Sequence, residues 1–173
     1  RFYQEVTQLA TRNRLRLVAD ERSMPTPSGE SMTVDDASDA TRLRHAAQRA
    51  ADSMQMDPER ARDLALAVGE AAANVITHAG RGRAHVWTVD ETIFVSVQDF
   101  GGGIDILDLP RATLAPGWSS EPSLGMGFTL MLEMSDVLWL STSTDGTTVC
   151  IEKSAARREE PTLDHLLTSY QVS

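Results

Sequence analysis

The chain has 173 residues, 41% of them hydrophobic, with a formal net charge of −9 and one cysteine. That length suits one domain with a real core and is short for two, and the acidic balance argues against nonspecific binding to nucleic acid or an anionic membrane. No apolar run reaches membrane-spanning length and no secretory leader is visible, so the expectation is a cytoplasmic protein whose single Cys150 forms no internal disulfide.

The chain starts at Arg1, and "RFYQEVTQLATRNRLRLV" repeats Phe2, Val6, Leu9 and Leu15 at helical spacing. This predicts a helix, read either as the domain's own flank or as the end of an upstream signalling helix. The Pro/Ser/Gly-rich "ADERSMPTPSGES" predicts a linker after it. Residues 1–30 are therefore expected to precede a compact domain over 31–154, with 155–173 as a polar, weakly helical tail. Inside the domain, "SMTV" is a short strand, and "DASDATRLRHAAQRAADSM" is a helix capped by Asp35, Asp36 or Ser38. The clearest helix has Asp57 as cap, Pro58 at its first position and Gly80 just past its end. Along it Leu64, Val68, Ala71, Val75 and Ala79 mark one apolar face.

"RAHVWTVD" and "TIFVSVQDF" alternate as a hairpin over Asp90 and Glu91. A lid-like loop, "LPRATLAPGWSSEPS", follows the glycines; its Arg111 reads as a solvated loop arginine, and Trp118 is given no chemistry. A helix begins near "LGMGFTLMLEMSD", and the strands "VLWLSTST" and "TTVCIEK" meet at Asp145-Gly146. Cys150, inside the apolar "TTVCIEK", reads as a buried strand residue rather than a nucleophile. The predicted fold class is an α/β (α+β) two-layer sandwich with a mixed, largely antiparallel sheet and helices on one face.

Glu70, Asn74 and His78 lie four residues apart, off the apolar face of the strong helix. Such a polar column is ordinarily just a solvated face. Three downstream signals weigh against that reading: Asp99-x-Gly101-x-Gly103, Gly125-Met126-Gly127 and Gly146-Thr147-Thr148. Gly101 and Gly103 lack the Cβ atoms that would keep a base or phosphate from the main chain. An ionised Asp99 only accepts hydrogen bonds, which suits the exocyclic amine of adenine and disfavours guanine's O6. Gly125 and Gly127 open a helix whose free N–H groups suit phosphates, and Asn74 offers an oxygen of the kind magnesium takes. Neither a Walker A sequence nor a Rossmann glycine pattern is present. Lys153, the only lysine, falls at the end of the last strand, where no phosphate is expected.

Taken in order, these groups resemble the N, G1, G2 and closing boxes of the GHKL (Bergerat) ATPases. "LALAVGEAAANVITHAG" and "SLGMGFTLMLEMSD…DGTTVCIEK" are similar to the anti-sigma-factor serine/threonine kinases, a likeness covering roughly residues 31–154. The short "AGRG" connection looks closest to the switch-kinase branch, and Gly80 stands where the anti-sigma branch usually has an aromatic residue. The resemblance implies a histidine-kinase-like Bergerat fold binding ATP/ADP and Mg2+. Glu70 would be the general base and Asn74 the magnesium ligand. Asp99 would read adenine, helped through water by Thr147 or Thr148, of which Thr148 is favoured. Gly101 and Gly103 would line the base pocket and Gly125 and Gly127 the phosphates, with His78 a structural histidine. The implied substrate is a Ser or Thr of a STAS-domain anti-sigma-factor antagonist. A sigma factor or a PP2C-type phosphatase are further partners it admits, as is a homodimer; nucleic acid and membrane are not expected. Two alternatives stay open: an ATP-gated binding module with little catalysis, and the ATP-binding domain of a histidine kinase. The second is disfavoured because His45 lies too near the Glu70–Asn74 box and the lid is short.

Overall fold

The computed structural model describes residues 11–103 and 124–156; the helix expected before residue 11, the loop carrying Arg111 and Trp118, and the tail beyond residue 156 lie outside them. In chain order the elements are β1 (Leu15–Leu17), β2 (Met32–Thr33), α1 (Ala37–Ser53), α2 (Pro58–Asn74), β3 (Gly82–Val89), β4 (Thr92–Asp99), α3 (Leu124–Met134), β5 (Val137–Ser143) and β6 (Gly146–Ser154). The strands form one sheet in the order β1-β5-β6-β4-β3-β2. Only β1 and β5 run parallel; every other neighbouring pair is antiparallel. This is the mixed, largely antiparallel sheet that the alternating segments predict.

Local chemistry accounts for most of the boundaries. Asp36 caps α1 through the Asp39 N–H, and Asp57 caps α2 with Pro58 in its first turn. The β3–β4 hairpin turns at Asp90 and Glu91 between the paired Val89 and Thr92, with Asp90 at a φ of 51° that Asp tolerates better than most residues. Alternation along the strands then sends Ala84, Ile93, Val95, Val97, Leu138, Leu140, Val149 and Ile151 into one core. They meet Leu43 and Ala47 of α1, Leu64, Val68 and Ala72 of α2, and Phe128 and Met131 of α3. The α2 helix packs between α1 and α3, so its two flanks contact different helices. On the opposite face of the sheet Trp87 stacks on Phe94 at 5.3 Å, and the Arg16 guanidinium lies 4.7 Å from the Trp139 ring centre. Among the described residues no helix is long and apolar enough to cross a membrane.

From residue 11 on, the chain departs from the helix expected there. Arg12 and Asn13 have positive φ, which a right-handed helix does not contain, and Leu15–Leu17 pairs with Leu138–Leu140 as an edge strand. Leu15 is fully buried in the core. The reason is tertiary: three residues carry almost no strand signal, but the open edge of β5 accepts them. Because β1 and β2 sit at opposite edges, the residues between them must cross the sheet. Glu21 shows on which side, since it bonds Gln98 and Thr148, whose side chains alternate away from Val97 and Val149. The crossing lies on the face opposite the helices.

At the far end of the sheet from Asp99, the Arg60 guanidinium reaches the Ser154 carbonyl at 2.9 Å and Asp136 at 2.5 Å. Lys153, 3% exposed, donates to the Met134 carbonyl at 2.7 Å beside the same Asp136. Burial pulls the Lys153 ammonium below the usual lysine range, and the nearby Asp136 offsets part of that. The sole lysine is thus a structural group. Arg60→Ala removes a charged donor shared by α2 and β6, so it is expected to cost about 1.5–3 kcal/mol. The check is a lower urea midpoint with an unchanged slope.

Candidate functional site

The α2 helix does not run on regularly to Gly80. Its α-helical hydrogen bonding ends at Asn74, and Val75–Ala79 form a π-helical turn closed by the Gly80 N–H on the Val75 carbonyl at 2.8 Å. Gly80 ends it in the left-handed region. Single π turns recur at functional sites because they re-aim the side chains of one helical turn. Here Asn74, Val75, His78 and Ala79 all face the same cavity.

That cavity, about 250 Å³, lies where β4 ends and β6 begins, beneath α2 and α3. Among the described residues Ala71, Val75, Val97, Phe128, Met131 and Val149 give it apolar walls, while Asn74, His78, Asp99 and Thr147 supply polar groups. Apolar walls with a few placed polar groups suit a flat heterocycle with polar edges. Asp99 has a divided role. Its Oδ1 accepts the Gly101 N–H at 2.9 Å and the Thr147 N–H at 3.1 Å, which holds the carboxylate to both β4 and β6. Its Oδ2 takes no donor among the described residues.

The glycines after Asp99 are not all there for a ligand. Gly103 has a φ of +76°, and a Cβ on it would overlap the Ser143 carbonyl. Gly146, with a φ of +139°, would likewise strike the Asp99 carbonyl. The β5–β6 hairpin therefore packs on the backbone just where β4 ends, in the space that a Gly103 side chain would need. Gly101, Gly102 and Gly103 still line the cavity.

At the other end of the site, Gly125 and Gly127 fall in the opening turns of α3. A Cβ on Gly127 would stand 3.2 Å from both Glu70 Oε2 and Asn74 Oδ1. Two motifs more than fifty residues apart therefore meet side by side. Glu70 is partly buried next to the cavity without lining it. Its neighbour Asn74 lines the cavity. Among the described residues no group of three or more His, Cys, Asp or Glu side chains is placed to hold a metal. The Asn74 amide oxygen beside the Glu70 carboxylate nonetheless fits a hard cation that draws its remaining ligands from phosphate and water.

One site residue is corrected. Thr148 points to the opposite face of the sheet, where its hydroxyl donates to Glu21. Thr147 is the threonine at the cavity, its hydroxyl 3.0 Å from that of Thr142. Strand parity is the signal that finds it: Thr147 alternates in step with the core residues Val149 and Ile151. Cys150 is fully buried, and burial raises its thiol to about 12, so it remains a protonated structural side chain.

Residues 33–153 match the family described as histidine kinase-like ATPase domain. The chain is 34% identical over 116 residues to an anti-sigma F factor of Caldanaerobacter subterraneus subsp. tengcongensis, covering 62% of this chain and 81% of that protein. An anti-sigma F factor of Clostridium acetobutylicum is 31% identical over 117 residues, covering 61% and 80%. Another from Bacillus licheniformis is 29% identical over 115 residues, covering 60% and 77%. These three relatives carry the name of anti-sigma factors, not of the switch-kinase branch expected from the short "AGRG" connection. In fold, the chain is similar to one in the SiaB-SiaC complex of Pseudomonas aeruginosa, with a TM-score of 0.53 at 14% identity, covering 86% of this chain and 97% of that one.

Proposed function

This chain belongs to the histidine kinase-like ATPase domain family, and from that premise we propose that it is an ATP-dependent serine/threonine protein kinase of a partner-switching system. Its substrate is a Ser or Thr of a STAS-type antagonist, and it acts where sigma factors are regulated. The observation that carries this reading is the close approach of Glu70 and Asn74 to Gly127, where a side chain would find little room, beside the Asp99 cavity. It brings a carboxylate and an amide to the mouth of a helix, which supports a base and an oxygen ligand beside the phosphates. The anti-sigma F relatives support the regulatory setting.

Each residue then has a task. Asp99 Oδ2 accepts from the adenine amine while Oδ1 keeps the carboxylate aligned, and the Thr147 hydroxyl assists through water. Gly101, Gly102 and the apolar walls bound the base. The first N–H groups of α3, with Gly125 and Gly127 lacking side chains, face the phosphates. Magnesium, when bound, neutralises phosphate charge, and Asn74 is the protein group that holds it there. Glu70 takes the proton from the substrate hydroxyl. Phosphoryl transfer is mainly positioning and charge stabilisation, so these groups suffice.

The direct test incubates the chain with ATP and a STAS domain and maps phosphate by mass spectrometry. Phosphate on one Ser or Thr of the STAS domain is expected. Tighter STAS binding with ATP and no transfer would replace the kinase by an ATP-gated binding module. For the metal, Asn74→Ala is expected to bring ATP affinity in magnesium down to that measured in chelator. Isothermal titration with and without magnesium reads this, and a mutant that keeps its magnesium dependence would place the ion elsewhere.

A further inference from the structure

We infer that the N-terminal segment from Arg14 to Glu21, which lies ahead of the family-matching residues 33–153, is a brace that positions both halves of the nucleotide site from outside it. The inference rests on the nucleotide reading above and adds a positioning role to residues that touch no part of the cavity.

The segment has two arms. At one end the Arg14 guanidinium donates to the carbonyls of Leu132 at 2.6 Å, Glu133 at 3.0 Å and Ser135 at 3.2 Å. These oxygens belong to the last turn of α3 and the residue just beyond it, where carbonyls lack helical partners and a cation is favourable. The same helix begins with Gly125 and Gly127, so Arg14 holds the far end of the element that faces the phosphates. At the other end, Glu21 accepts from the Thr148 hydroxyl and from Gln98 Nε2 at 3.0 Å. Gln98 and Thr148 are cross-strand partners, and the next residues toward the cavity are Asp99 and Thr147. In a strand, neighbours face opposite sides, so a grip on Gln98 and Thr148 from behind fixes the backbone that aims Asp99 and Thr147 forward. Between the arms, β1 pairs with β5, and the Val18 N–H reaches the Leu140 carbonyl at 3.0 Å. One short segment thus links the base-reading strands to the phosphate helix.

Coupling of this kind is reciprocal: if the docked segment tightens nucleotide binding, the nucleotide must tighten docking by the same factor. The experiment measures ATP affinity of the full chain and its Glu21→Ala and Glu21→Gln variants below their melting range. It also follows exchange of the Val18 amide with and without ATP. Glu21→Ala is expected to weaken ATP about five- to tenfold. Glu21→Gln should stay within about twofold, because its amide oxygen still accepts from Thr148. In wild type, ATP should slow exchange at Val18 more than at Val34, whose N–H bonds the Gly82 carbonyl at the opposite edge. If Glu21→Ala melts early yet binds ATP like wild type, the contact is only structural and the inference is overturned. Equal slowing at Val18 and Val34 overturns it as well, and that measurement needs only wild type should Glu21→Ala not fold. A wild-type chain that binds no ATP would instead overturn the nucleotide reading itself.

Discussion

Glu70→Gln is expected to slow phosphoryl transfer to a STAS partner on the order of 10²–10⁴-fold while leaving ATP affinity near wild type. The reasoning starts from position. Glu70 sits one helical turn before Asn74 and against Gly127, beside the cavity but not on its wall. An incoming hydroxyl near the phosphates would meet it, whereas the base and ribose would not. Glutamine keeps the length and shape of the side chain, so the packing against Gly127 survives. What it loses is the ability to take a proton. Single-turnover assays separate the two effects, since binding and transfer are then read in different phases. If the mutant transfers at the wild-type rate, Glu70 is only a polar helix residue and the base is another group. If it loses ATP affinity instead, Glu70 belongs to the metal or phosphate site.

The second large effect is at Asp99. Asp99→Asn is expected to weaken ATP about 100-fold or more and to narrow the preference for ATP over GTP. The substitution is informative because only Oδ1 of the carboxylate is engaged by the described backbone. An asparagine oxygen in the place of Oδ1 still accepts the Gly101 and Thr147 N–H groups, so the junction of β4 and β6 stays intact. The amide nitrogen then stands where Oδ2 was. It turns a donor toward the donor of adenine, a mismatch in a partly desolvated site, and it matches guanine's O6. Calorimetry with both nucleotides is the measurement. Unchanged ATP affinity would mean that Asp99 only fastens the two strands together, and equal losses for ATP and GTP would point to a distorted pocket.

Much of this protein is written in short-range patterns. The Asp57-Pro58 start of α2 and the alternation of β3 and β4 are each set by a few neighbouring residues. Capping, strand alternation and φ preference act over one turn or one pleat, so sequence alone determined the two-layer class and brought Glu70, Asn74 and Asp99 into view. Strand parity was equally local, and it already set Thr147 rather than Thr148 in step with Val149 and Ile151. The tertiary structure decided what depends on distant chain. Leu15–Leu17 is a strand because β5 offers an unpaired edge, and three residues have no propensity strong enough to announce it. Gly103 must be glycine because the Ser143 carbonyl, forty residues on, packs where its Cβ would be. Glu21 finds its partners 77 and 127 residues away, across a sheet whose strand order no local pattern encodes.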